Sequence, residues 1–204
     1  MNTRLVLPVF SHDSWTDAVR ARSDAGREVI AVALDLGEGT PLGQLQQSAI
    51  AAGARRCHAL DLREEFAIEV LVPTLRQETG DPVPRLDQAA RAFVEDRLRD
   101  IAIIEEAKVE PLLRPVPWAR TPNGLRDCGL ALIDLCFTRR VPIALNDVPM
   151  TIVELMESVE TISGVSAVSV LRQAFETLGT NDSGHVRLQA ERGACRVALS
   201  AAAV

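Results

Sequence analysis

Ser11-His12-Asp13 is the first stretch whose residue types could do chemistry: a hydroxyl, an imidazole and a carboxylate, the set of a nucleophile, its base and the base's orienter. Such a set works through spatial geometry, and three consecutive residues in a turn rarely aim at one another, so the stretch reads as a polar turn. Its place in the chain says more. Leu5-Val6-Leu7-Pro8-Val9-Phe10 is an apolar run of strand length, Trp15-Thr16-Asp17-Ala18-Val19 begins a helical pattern, and Ser11 to Ser14 connects them. The exposed N–H groups and dipole of a helix start attract anions at such a step. A phosphate cradle there normally needs glycine for close approach and positive φ. This connection has none and carries Asp13, with Asp17 close by.

Other polar residues invite the same weighing. Asp35 ends a second apolar run, where α/β folds place ligand groups, and equally suits a turn before Gly37. Asp61 ends a third run and either touches a ligand or caps the next helix, with Glu64 completing a capping box. Thr16 and Asp17 are accounted for by helix capping and dipole preference. Arg139 and Arg140 suit a hairpin tip, with anion binding as the alternative. Cys57, Cys128, Cys136 and Cys195 form no C-x-x-C pair and read as buried free thiols. His12, His58 and His185 lack metal-ligand spacing, so no metal site is legible. Trp15 and Trp118 read as packing or interface anchors.

The elements that must position these groups alternate. Strand 5–10 is followed by a helix stopping near Gly26, a strand over 28–36, a helix over 42–52 ending at Gly53, and a strand over 56–60. A helix then runs from Leu62 to about Gln77. The continuous apolar run Val29-Ile30-Ala31-Val32-Ala33-Leu34 predicts a strand buried on both faces. The β-α-β-α-β order predicts a doubly wound, Rossmann-like parallel sheet with right-handed crossovers. Leu86 to Lys108 reads as one amphipathic helix with Ala90, Phe93, Leu98, Ile101 and Ile104 near one face and Arg91, Glu95, Arg99 and Glu106 on a solvated one. Pro111 to Asn123, with four prolines, reads as a linker. Beyond it, 130–137 and 141–145 form a hairpin, 151–163 a helix with Ile152, Leu155, Met156 and Val159 inward, and 165–171, 186–190 and 195–199 strands, giving a smaller α+β part. The divisions expected are 1–108, 109–128 and 129–204.

Composition narrows the function classes. The chain has 204 residues, 47% of them hydrophobic, no tyrosine, and a net charge of −6, which argues against nucleic-acid binding. No apolar run approaches the roughly 18 to 20 residues needed to span a bilayer. Nor does the start resemble a signal peptide, so a cytoplasmic location is expected.

Three stretches together resemble argininosuccinate synthase. They are Glu28 through Glu38; Ala51-Ala52-Gly53-Ala54-Arg55 leading into Leu60-Asp61-Leu62-Arg63-Glu64-Glu65-Phe66; and Val141-Pro142-Ile143-Ala144-Leu145-Asn146 preceding Glu154-Leu155. The resemblance implies an adenine nucleotide α-hydrolase-like domain followed by a synthetase domain, with ATP activating citrulline and aspartate displacing AMP. Against the family's Ser-Gly-Gly-Leu-Asp-Thr-Ser loop, Ser11 and Thr16 match. His12 and Asp13 replace the glycines, Trp15 the aspartate and Asp17 the last serine. The resemblance thus leaves Ser11, Thr16 and Asp35 as a vestigial ATP site, with no catalytic residue assigned. The family's Tyr-x-Gly-Lys-Tyr-Pro segment aligns with Thr79-Gly80-Asp81-Pro82-Val83-Pro84, which has no tyrosine. Its second glycine-rich element has no counterpart after Lys108, and most of its synthetase domain is missing.

The leading expectation is therefore a non-catalytic relative needing no cofactor, which binds a partner protein or a small ligand. The alternative is an AMP-forming ligase using ATP with Mg, on citrulline and aspartate or another acceptor, its active site remodelled or completed by a partner. A third class is assembly, a homo-oligomer formed through Phe93 and neighbouring apolar helix positions. Neither nucleic acid nor membrane is an expected partner.

Overall fold

The computed structural model describes residues 4–11, 13–77, 82–118, 131–191 and 194–197, with backbone alone at 131, 190, 191 and 194–197. Two compact units form: Met1–Phe66 with Val83–Arg120, and Ala67–Pro82 with Thr121–Val204. Ala67–Pro82 groups with the second unit, and the described part of the proline-rich stretch packs on the first, burying Leu112 and Val116.

In the first unit, β1 (Arg4–Val9), β2 (Glu28–Asp35), β3 (Arg56–Asp61) and the short β4 (Lys108–Val109) make a parallel sheet in the order β3-β2-β1-β4. Helices α1 (Asp13–Asp24) and α2 (Leu42–Ala51) form the crossovers, α3 (Arg63–Phe66) follows β3, and α5 (Val83–Ile104) leads into β4. Val29 to Leu34 are at most 2% exposed, as a strand covered on both faces must be. The expected α/β, Rossmann-like architecture is present. Gly53 takes φ +101°, and a Cβ there would stand 2.5 Å from Ser23 Oγ, so glycine is required where α2 turns into β3 against α1.

Helix α5 stops at Ile104 rather than at Lys108. Glu106 takes a left-handed φ of 49°, and the Ala107 N–H returns to the Ala102 carbonyl at 2.9 Å, a Schellman-type end that frees Lys108 for β4. Ile104, expected inward, is consequently 71% exposed. Phe93 is buried and meets Phe66 edge-on at 5.6 Å.

At the amino ends of the strands, charged side chains interlock. Glu28 pairs with Arg4 at 3.0 Å and Arg55 at 2.7 Å. Buried Glu105 accepts from Arg56 Nη1 and contacts His58 Nε2, each at 2.8 Å.

In the second unit, a π-helical turn (Ala67–Leu71) runs into α4 (Val72–Leu75), where one α-helix was expected. Pro73 cannot donate to the Glu69 carbonyl four residues back, and the wider turn accommodates that loss. Strands β5 (Ala131–Thr138), β6 (Val141–Leu145), β7 (Val148–Pro149), β8 (Gly184–Glu191) and β9 (Ala194–Val197) form an antiparallel sheet in the order β7-β6-β5-β8-β9. Helices α6 (Ile152–Ser163) and α7 (Ala167–Leu178) pack on it. Ile133, Leu135, Phe137, Val186 and Leu188 face Leu155, Leu171 and Phe175 in this core, with Phe137 and Phe175 edge-on at 5.4 Å.

The strand expected over 165–171 is helical. Its Val-Ser-Ala-Val-Ser-Val run mimics alternation, yet the buried positions Ala167, Val170, Leu171, Ala174, Phe175 and Leu178 recur at helical spacing. The hairpin at Thr138 is as expected. Arg139 and Arg140 have φ of 51° and 58°, and Asn146 and Asp147 at the β6–β7 turn have 49° and 63°. Paired positive φ marks the mirror-image turns that suit strand twist. No helix of the described residues is long and apolar enough to cross a membrane.

Two stability outcomes follow. Thr151 and Glu154 form a reciprocal capping box at the start of α6, so Thr151→Ala should cost about 1 kcal/mol in denaturant unfolding. Glu105 is held below the usual carboxylate range by hydrogen bonds from Arg56 and then His58. Its contribution is present above the unfolded carboxylate pKa and is lost as pH falls through the lower folded value. Thermal melts should therefore show Glu105→Gln less stable than the parent at pH 7, with the gap closing in acid.

Candidate functional site

Parallel packing brings the carboxyl ends of β1, β2 and β3 to one edge of the first unit. There stand Ser11 after β1, Asp35 at the end of β2 with Glu38 beyond it, and Asp61 at the end of β3. This is where an open α/β sheet receives ligands. The structure therefore gathers two of the three candidate residues, Ser11 and Asp35, at one edge, and puts Thr16 in the first turns of the adjoining α1.

Each is already engaged. Ser11 Oγ donates to Glu38 Oε2 at 2.5 Å, and the Ser11 N–H reaches both carboxylate oxygens at 3.3 Å. Glu38 is half-buried, and that burial pushes its carboxyl above the usual range. The Ser11 donors oppose the shift and the negative charge of Asp35 reinforces it. Asp35 Oδ1 accepts the Gly37 N–H at 2.8 Å, an Asx turn, and its Oδ2 lies 3.7 Å from Arg63 Nε. Thr16 Oγ1 donates to the Asp13 carbonyl at 2.7 Å. Asp61 grips Arg63 through Nε and Nη2, each at 2.9 Å, and accepts the Arg63 N–H at 3.3 Å; that pairing lowers its pKa.

The described residues of the loop after β1 have ordinary backbone angles. Ser11, Asp13 and Ser14 all lie outside the left-handed region, and α1 begins at Asp13, two residues before the helical pattern. His12 lies outside the described residues. Trp15 is buried against Phe10, edge-on at 5.2 Å, so the side chain at the aspartate position of the resembled loop is part of the core. Arg114 places its guanidinium 5.8 Å over the Trp15 ring and donates to the Ser14 carbonyl.

The sequence reading missed Glu38, Arg63 and Arg114 as members of this edge. Glu38 carried a usable signal, an acidic residue in the turn after a strand whose carboxyl end faces the site. Arg114 is a hundred residues from Ser14 and carried none. A triphosphate seated at Ser11 would meet the Glu38 carboxylate on the donors it needs, with Asp35 and Asp61 nearby, so the residues present do not fit that group in this arrangement.

Among the described residues no cluster of three His, Cys, Asp or Glu side chains could hold a metal ion. Cys57 is buried and free, and burial raises its pKa; Cys136 is half-buried and free, and is raised by burial and then by Asp147 and Asp134. Neither is an activated nucleophile. Cys128 and the side chain of Cys195 lie outside what is described.

Exchanging Glu38 for glutamine tests this contact through linkage. The raised carboxyl means that folding favours its protonated form, so the charged form weighs against the fold above the folded pKa. Glu38→Gln should match or exceed the parent's melting temperature at pH 7. The difference should shrink as pH falls toward the ordinary carboxylate value of 4.5.

No protein-family model matches the chain. Among curated proteins, argininosuccinate synthase of Bacillus pumilus (strain SAFR-032) is 32% identical over 108 residues, 52% of this chain and 27% of that protein. The enzyme of that name from Halalkalibacterium halodurans is 33% identical over 87 residues, 42% of this chain and 21% of that protein. That of Desulfitobacterium hafniense (strain DSM 10664 / DCB-2) is 38% identical over 88 residues, 42% of this chain and 22% of that protein. The chain thus spans about a quarter of the length of these curated relatives. Over about half of its own length, this chain is similar in sequence to argininosuccinate synthases.

Proposed function

We propose that this chain is a non-catalytic relative of argininosuccinate synthase, acting in the cytoplasm by binding a partner protein or small ligand rather than by joining substrates at the expense of ATP. The observation that carries this reading is the Ser11–Glu38 contact. The N–H and hydroxyl that a phosphate would use at the end of β1 are spent on the chain's own carboxylate. Moving Glu38 aside would leave an acidic edge, with Asp35 and Asp61 at the same strand ends. Repulsion between carboxylates and a triphosphate is strong where water is partly excluded.

Calorimetric titration of the chain with ATP, and pyrophosphate exchange with citrulline present, test the reading. No saturable ATP binding is expected below about 1 mM, and no exchange. Micromolar ATP binding, or robust exchange, would replace it with the other reading, an AMP-forming ligase with a remodelled site.

A further inference from the structure

We infer that the second unit carries an anion site where α4 meets α7, built on Arg76 and fitted to the carboxylate or phosphate group of a small molecule. The Arg76 Nε is buried and has no hydrogen-bond partner among the described residues. It lines a cavity of about 20 Å³ together with Leu75, Pro82, Phe175, Arg172 and Glu176. That volume accepts one group the size of a water or an oxyanion oxygen.

The charges around it are unbalanced. Burial lowers the pKa of Arg76, and the positive charge of Arg140 lowers it further. A carboxylate does line the cavity, but Glu176 accepts from Arg172 Nε at 3.1 Å. A desolvated guanidinium beside a second cation is costly without a counter-charge. An oxyanion oxygen entering the cavity would take the orphaned Nε–H, leaving the others to the outer guanidinium nitrogens in the forked geometry that arginine offers carboxylates and phosphates. Leu75, Pro82 and Phe175 give that contact an apolar wall.

Arg140 sits at the tip of the β5–β6 hairpin. It occupies a left-handed position in the β5–β6 turn, where glycine or asparagine is the usual choice, and its N–H is tied to the Asp182 carbonyl. The adjoining Arg139 N–H is tied to Ser183 Oγ at 3.2 Å. The turn thus presents a cation where its own geometry asks for none.

The test is thermal melting of the whole chain at constant ionic strength, titrated separately with inorganic phosphate and with succinate against chloride. One of the two should raise the melting temperature saturably, and the one with the lower half-saturation identifies the group. Arg76→Met should abolish the response, and Arg140→Gln should move half-saturation up about tenfold. No saturable response to either anion up to about 10 mM would overturn the proposal. So would an undiminished response in Arg76→Met, which would place binding elsewhere, the Ser11 edge included. Should Arg76→Met fail to fold, Arg140→Gln at the hairpin tip decides: an unmoved half-saturation overturns the site.

Discussion

A parallel sheet has no face to spare for water, and that constraint organises the first unit. Every side chain from Val29 to Leu34 is buried, so β2 can carry no chemistry along its length. Polar groups are driven to the strand ends, and the two ends take opposite characters. At the amino ends, arginines interlock with Glu28 and Glu105 into a lattice that uses its charges on itself. At the carboxyl ends stand Ser11, Asp35, Glu38 and Asp61, acids gathered with one hydroxyl and tempered by Arg63.

That second end is the place where this architecture presents N–H donors to anions. Here the anion on Ser11 is part of the chain. Glu38 reaches across from the neighbouring crossover, and the contact ties the loop after β1 to the loop after β2. Its half-buried carboxyl is one that folding would sooner see protonated, because loss of water outweighs what the Ser11 donors return. The same scaffold that suits a phosphate thus holds a carboxylate at some electrostatic cost, with α1 starting at Asp13 and no described loop residue in the left-handed region.

The second unit answers to a different rule. An antiparallel sheet can leave one face open, and α6 and α7 pack on the other, where Phe137 and Phe175 meet. Two of its tight hairpins use left-handed residues other than glycine, at Arg139–Arg140 and Asn146–Asp147. Each such residue sits about 1 kcal/mol or more above its relaxed state, and cross-strand pairing offsets that cost. Asp134 shows how the sheet's charged residues are managed: it takes Arg187 at 2.7 Å, with His185 at 3.5 Å.

Patterns of nearest neighbours were enough to determine the β1-to-β3 part of the first unit. A six-residue apolar run flanked by turns can be buried only one way, and β-α-β order leaves a parallel sheet as the economical arrangement. Ser11 and Asp35 were placed correctly at strand ends for the same reason. Tertiary structure alone decided the rest. Val165 to Val170 alternates like a strand locally, and only Ala174, Phe175 and Leu178 further on make a helix the better way to cover the sheet. Ile104 looked inward on a helical wheel, but the helix ends there because Glu106 turns left-handed. Whether Ser11 faces solvent, a phosphate or Glu38 depends on how two loops 27 residues apart approach each other. That approach is set by sheet register and burial, quantities that no local spacing of residues contains.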